Sequence, residues 1–421
     1  MFNLAYADKN ERIYELEGWK MAGRLGMRLV EPEREEMIPF PPGASLVMLP
    51  ERQPVGISPQ GRFATLSRQP GRRAGRPYAV AALLPQGYTR TLLPAYTHRG
   101  AAVSLPLFGY CAVGFREGGL YVAARQTDED CWWNPGHYDL PGLDELIKKR
   151  LLEFPRNRVL VHLAGCARKY SCFTAQNLFY RRWEAGIPVS PSCNARCRGC
   201  ISEQPAECCP SPQQRIRFTP SVEEIAELAV PHLEQAADGI ISFGQGCEGE
   251  PLLRGRELVV AVEHIRQRTG GGTLNLNSNG SCPDTVEALA ASGLDALRVS
   301  LVSAREELYQ KYHQPRGYSL KQVRESIRRA AGQGVEVSLN LLHFPGVTDR
   351  PSELEALLQL VRETGVRRIQ LRNLNLDPEV FLTLAGDPRQ EPLGTPRFLK
   401  LLQEELPKVK LGNYTRPVVR T

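Results

Sequence analysis

Apolar positions in the first third of the chain come in short runs without a helical period: "GASLVMLP", "PYAVAALLP", "YCAVGF" and "GGLYVAARQ", each cut off by Pro, Gly or polar residues. Short β-prone runs broken by turn residues predict strands, so residues 1–143 are expected to form a mainly β domain. Near residue 144 the period changes. "DELIKKRLLEF" opens a helical connector expected over 144–184, and from 185 strand-like runs alternate with amphipathic helical ones. The strand-like runs are "GIPVSPS", "GIISFG", "TLNLNSN", "ALRVSLVS", "VEVSLNLLHF" and "RRIQLRNLNL", with stretches such as "SVEEIAELAVPHLEQA" and "SLKQVRESIRRAAGQG" between them. Such alternation predicts parallel βαβ winding over 185–376. Right-handed crossovers would wind these units into an open doubly wound sheet or into part of a barrel, and period alone leaves both open. A tail over 377–421 carries one further helix, "TPRFLKLLQEEL", and a basic end.

Composition narrows the class without naming it. With 421 residues, 42% hydrophobic and 24% charged, the chain is an ordinary globular one with length for more than one domain. The formal charge of +7 permits an anionic partner and does not demand one, so nucleic acid is possible but not indicated. The basic run "SRQPGRRAGRP" lacks periodicity and reads as a solvated loop. No run reaches the ~18 apolar residues of a membrane span, and the N-terminus lacks the pattern of a signal peptide. A cytoplasmic protein is expected, in which eleven cysteines argue for metal binding or catalysis before disulfides.

Three of those cysteines stand out. In "SCNARCRGC", Cys193, Cys197 and Cys200 follow at spacings of four and three, on the loop that leaves the first expected strand. Ligands of parallel α/β folds bind at that end of the strands. Three thiolates on one tight loop can hold three corners of a cubane cluster and leave the fourth metal open. The competing reading is a closed zinc site with Cys208 or Cys209 as the fourth ligand.

The trio resembles the CxxxCxxC cluster motif of the radical S-adenosylmethionine (radical SAM) superfamily, and the resemblance covers roughly residues 185–376. It implies a partial (β/α)6 TIM-like barrel behind the N-terminal β-rich domain, with a [4Fe-4S] cluster and S-adenosyl-L-methionine as cofactors. Later strand ends extend it. "FGQGCEGEPLL" resembles the Gly-Gly-Glu-Pro element that holds the methionyl amino group, with Gly249, Glu250 and Pro251 matching and Glu248 in place of the first glycine. "NSNG" resembles the turn after the third strand, which implies Ser278 and Asn279 as cofactor-binding residues. Ser300 in the fourth strand is the residue the resemblance points to for ribose and carboxylate, and Asn340 is the polar residue of the fifth strand most able to reach inward, a further cofactor-binding candidate. Pro345, Gly346 and Val347 resemble the turn under the adenine. Gly199 departs from the family, where an aromatic residue rests on the adenine, so that packing must come from elsewhere, with Ile201 the candidate.

The implied reaction is reductive cleavage of S-adenosylmethionine to a 5'-deoxyadenosyl radical that takes hydrogen from a substrate the sequence does not identify. An electron donor such as flavodoxin or ferredoxin would serve it. The alternative from another class is a non-catalytic, zinc-stabilised RNA-binding module. Cys247, beside the methionyl site, is a candidate hydrogen-atom donor weighed against a packed loop residue. Cys166, Cys172, Cys208 and Cys209 are weighed as ligands of an auxiliary cluster against buried small hydrophobes. His343 and His313, the latter near Tyr309 and Tyr312, are weighed as substrate contacts against structural histidines. Trp132 and Trp133 suggest a packing seam between the N-terminal domain and the barrel.

Overall fold

The computed structural model describes every residue except 71–74, 101–102, 130–132, 139, 204–210, 387–389 and 419–421. Seven strands form one sheet in chain order: β1 (Arg182–Gly186), β2 (Ala237–Phe243), β3 (Thr273–Ser278), β4 (Ala296–Leu301), β5 (Glu336–His343), β6 (Arg368–Asn373) and β7 (Lys410–Gly412). Every neighbouring pair is parallel. The order never reverses, so there is no switch point of the doubly wound kind. With right-handed crossovers all helices then stack on one face and the sheet curls around the other. The fold is a partial TIM-like barrel, its six expected strands joined by a short seventh at the edge.

The strands alternate in an informative way. Leu274 and Leu276, Leu297, Val299 and Leu301, Leu339 and Leu341, and Ile369 and Leu371 face the helices and belong to the main apolar core. Between them stand Asn275 and Asn277, Arg298 and Ser300, Ser338 and Asn340, and Gln370 and Arg372. Side chains alternate between faces with period two, so this second set lines the inside of the curl. Cross-strand register stacks them: Asn277 lies beside Arg298, and Ser300 beside Asn340. The lumen is therefore polar, a surface built for ligands.

The first strand lies mostly upstream of "GIPVSPS" and shares only Gly186 with it. It ends at Gly186, and the chain beyond leaves the sheet. The reason is where the backbone donors go: Pro188 and Pro191 have none, and the N–H groups of Val189 and Ser190 donate to the Glu248 carboxylate at 2.8 and 3.1 Å. Strand β1 thus begins inside the expected connector, and β7 and a helix at Pro378–Ala385 lie inside the expected one-helix tail. After β7 the chain crosses below the lumen: Thr415 Oγ1 donates to Glu184 at 3.3 Å and accepts from Arg298 at 2.7 Å, and the Val418 N–H donates to Thr273 at 2.8 Å.

The N-terminal domain is antiparallel, with a twelve-stranded and a three-stranded sheet among the described residues. It docks on the loop that follows β6. Arg90, fully buried, donates to the carbonyls of Leu374 and Tyr110 at 2.9 and 3.1 Å, while Asn373 bridges the backbones of Arg90 and Tyr88. Arg52 pairs with Asp377 at 2.9 Å, both almost fully buried, and Arg24 pairs with Glu379 at 2.7 Å. Gly26 donates its N–H to Pro345 O at 3.1 Å, and a Cβ on Gly346 (φ 86°) would run into the Gly26 backbone. The turn at 345–347 therefore meets the N-terminal domain and is absent from the cavity wall described below.

Candidate functional site

The cysteine loop is pinned from both sides by backbone pairs. Gly249 and Glu250 donate to Ser190 O and Ser192 O at 2.7 and 2.8 Å, and Arg196 and Arg198 donate to His313 O and Tyr312 O, each at 3.0 Å. Gly249 is required here, because any Cβ would strike the Ser192 carbonyl. Behind these pairs Glu248 acts as a staple. Besides Val189 and Ser190 it accepts from Gly244 and Gln245 at 2.6 and 3.1 Å, joining the loops after β1 and β2. Burial pushes its carboxyl up to about 8 despite those donors. The residue that departs from the motif is thus a positioning residue.

Held this way, Cys193, Cys197 and Cys200 face one cavity of about 640 Å3 at the C-terminal mouth of the strands. Two of the sulfurs meet hydrogen-bond donors. His313 Nε2 accepts from the Val302 N–H at 3.3 Å, so Nδ1 carries the proton and points it at Cys197 Sγ, 3.3 Å away. Burial holds the ring neutral, its pKa pulled down to about 3. Arg215 Nη2 lies 3.6 Å from Cys200 Sγ. Burial, reinforced by neighbouring acidic groups, pushes Cys193 up to about 11, and Cys197 is driven higher by burial and the two other thiols. A Cβ on Gly199 would stand 2.8 Å from Tyr312 Oη. Tyr312, from the helix Glu306–His313, fills that space, and Ile201 packs beside it and Cys197.

The next wall unites residues from four strands, β3 to β6, with Glu250 from the loop after β2. Glu250, buried, accepts from Ser278 Oγ at 2.6 Å, from Asn279 N at 2.8 Å and from Leu252 N at 3.1 Å. Desolvation raises it to about 7 against these bonds. Asn279 Nδ2 donates to Asn194 Oδ1 at 2.7 Å, which ties this turn to the cysteine loop. Ser300 and Asn340 meet at 3.4 Å on adjacent strands. Asn340 Oδ1, Asn277 Nδ2, Gln213 Oε1 and Arg298 Nε are buried without a partner among the described residues. The Arg372 side chain, in the same wall, makes no hydrogen bond or ion pair among the described residues, and burial lowers its pKa to about 10. Leu84, Gln86 and Tyr88 close the cavity from the N-terminal domain.

Other sequence candidates fall elsewhere. Cys247 is buried in the wall against Cys166. His343 is fully buried outside the cavity wall, bonded to Thr395 Oγ1 at 2.9 Å and Thr348 Oγ1 at 3.0 Å, and is structural. Trp133 stacks on Tyr138 and Tyr414, meets Phe173 at a tilt and reaches the cavity edge. Cys208, Cys209, Trp132 and residues 71–74 of the basic run lie outside the described residues. Sequence reasoning missed Asn194, Arg215 and Arg372. For Arg372 the signal was available, since the parity of "IQLRN" places it inside with Gln370.

Residues 187–361 match the family model of the Radical SAM superfamily. These residues form a radical SAM domain. The superfamily's cofactors are a [4Fe-4S] cluster and S-adenosylmethionine, and Cys193, Cys197 and Cys200 lie within the matched residues. The chain is similar to a probable GTP 3',8-cyclase of Methanosarcina acetivorans, 28% identical over 231 residues, which are 53% of this chain and 62% of the relative. The GTP 3',8-cyclase of Limosilactobacillus fermentum is 27% identical over 46% of this chain and 53% of its own length. The matched part thus spans about half to three-fifths of these curated relatives. Among solved structures, the hydrogenase maturase HydG of Carboxydothermus hydrogenoformans aligns at a TM-score of 0.36 and 14% identity, over 64% of this chain and 65% of that one. Coproporphyrinogen III oxidase of Escherichia coli aligns at 0.37 and 13%, over 53% of each.

The donor set of the radical SAM domain fits a cluster better than a single ion. One zinc ion would draw three sulfurs to about 3.8 Å from one another, given bonds of ~2.3 Å in a tetrahedron. Among the described residues the group of three ligand atoms that all lie within 4.8 Å of one another is His162, Cys166 and Cys247, not the trio. The wider trio, with N–H donors aimed at its sulfurs, suits a polynuclear iron-sulfur group.

Proposed function

We propose that this chain is a radical SAM enzyme that holds a [4Fe-4S] cluster on Cys193, Cys197 and Cys200 and S-adenosylmethionine along the loops after β2 to β5. The observation that carries this is the convergence of one cysteine loop with Glu250, Ser278 and Asn279 on one cavity wall. With both groups bound, the chemistry supplied is one-electron cleavage of a carbon-sulfur bond, which no side chain performs. The chain's residues bind and orient. Glu250 offers an acceptor for the methionyl amino group and is held by Ser278 and the Asn279 backbone, while Gly249 lets the cysteine loop approach. Ser300 and Asn340 offer polar groups to ribose and carboxylate, and Gln86 and Tyr88 shape the substrate side and keep water out. A reductant is required, for which a flavodoxin or ferredoxin is proposed.

The finer reading, that the substrate is GTP, rests on the names of the relatives. The unpartnered Arg372 favours an anionic substrate of that kind, because a guanidinium without a partner in a buried wall suits a phosphate or carboxylate.

The test is release of 5'-deoxyadenosine from S-adenosylmethionine by the anaerobically reconstituted, reduced chain, with and without GTP. Wild type is expected to release it and Cys193→Ala to release none. A GTP-derived product, with a KM raised roughly ten- to hundredfold in Arg372→Ala, supports the finer reading. An iron-loaded chain that releases no 5'-deoxyadenosine overturns the enzyme reading, and release without any GTP-derived product overturns the finer one.

A further inference from the structure

A second metal-ligating group lies behind the first. His162 and Cys166 stand four residues apart on the helix Arg158–Lys169 and so share a face. His162 Nε2 lies 3.5 Å from Cys166 Sγ. Cys247 reaches the same point from the loop after β2, and the three ligand atoms all lie within 4.8 Å of one another. Both cysteines are only 3% exposed. We propose that His162, Cys166 and Cys247 bind a single zinc-class ion, separate from the cysteine trio.

The chemistry and the geometry agree. Two thiolates and an imidazole are the soft donors that zinc takes, in the Cys2His set with a fourth position left over. Bonds of about 2.0–2.3 Å in a tetrahedron draw such ligands to roughly 3.3–3.8 Å from one another. The observed span needs only a small contraction to reach this. Cys166 and Cys247 also contact each other, and the hydrogen bond between them, with His162 beside Cys166, holds the Cys166 thiol down and pushes Cys247 up. Binding would displace the protons that the two thiols carry. Cys247 also lines the cavity wall, together with Cys172. Such a centre would fasten the helical connector to the loop that carries Gly249 and Glu250.

The site can be read independently of the trio. In full-length Cys193→Ala/Cys197→Ala/Cys200→Ala protein, purified anaerobically, elemental analysis is expected to find about one zinc per chain. Cobalt(II) supplied to the zinc-stripped protein is expected to give the visible bands of a tetrahedral thiolate site. Adding His162→Ala or Cys166→Ser to that background is expected to lower bound zinc at least tenfold and abolish the bands, with the far-UV circular dichroism unchanged. Zinc content that survives both additional substitutions overturns the proposal, as does a Cys166–Cys247 disulfide in the fresh anaerobic protein. Iron and sulfide retained by the triple variant and lost with Cys166 would also overturn it, in favour of an auxiliary cluster. Should Cys166→Ser not fold, the cobalt bands of the triple variant and their loss in His162→Ala decide alone.

Discussion

His313 connects the fourth strand's loop to the cysteine trio through one proton. Its Nε2 is occupied as an acceptor, so the N–H at Nδ1 has one partner, Cys197 Sγ. A hydrogen bond to a cluster sulfur stabilises the reduced form, which carries more negative charge. His313→Leu is expected to keep its iron and to shift the cluster's midpoint potential to a more negative value in a redox titration; an unchanged potential contradicts this role. His343 is a different histidine, buried and neutral, with its pKa lowered to about 3 mainly by desolvation. The unfolded chain takes up a proton near 6.5 that the folded one refuses, so His343 supports the fold above pH 6.5 and that support is lost as pH falls toward 3. The advantage of wild type over His343→Gln in urea unfolding is therefore expected to shrink by about 1.4 kcal/mol per pH unit between 6.5 and 4. In the sequence these two histidines look alike, each at the end of a βα unit. Only packing separates them, since one faces the cavity and the other meets Thr395 from a helix 52 residues on. The cysteine trio was legible because its spacing is local. Gly199 was legible as a departure, but Tyr312, which explains it, is distant in the chain.

Among elements, the loops after β1 and β2 act as one unit because Glu248 gathers four backbone N–H groups from them. Leaving several buried donors without an acceptor costs about 1–3 kcal/mol each. Glu248→Ala is expected to lose at least about 3 kcal/mol in urea unfolding and to retain less iron after reconstitution. Glu248→Gln is expected to lose less, because one amide oxygen still serves two donors. A Glu248→Ala protein of wild-type stability would show that the staple is dispensable. The strands themselves were legible from their alternation, and polar positions such as Asn275, Ser300 and Gln370 gave the inner face. The first strand was misplaced because "GIPVS" is as apolar as a strand. Nothing local shows that its N–H groups go to a carboxylate about 60 residues away.

At the scale of the whole molecule, the N-terminal domain is a wall of the cavity, seated through Arg90, Asn373 and the buried Arg52–Asp377 pair. Removing one partner of a buried ion pair strands the other charge, at about 3–5 kcal/mol. Asp377→Ala is expected to be destabilised by that amount in thermal or urea unfolding, and Asp377→Asn, which keeps an acceptor, by less. The β character of this domain was legible in its broken apolar runs, but its seat was not. Arg52 and Asp377 are 325 residues apart, and neither belongs to a motif.

The central claim is that three cysteines of one loop hold a cluster with one iron left open to S-adenosylmethionine. Electron paramagnetic resonance of the reconstituted, reduced chain tests it most directly. A [4Fe-4S] signal that changes on adding S-adenosylmethionine, and that is absent from Cys193→Ala, is the result predicted. A signal indifferent to S-adenosylmethionine, or one that survives loss of the trio, would contradict the account.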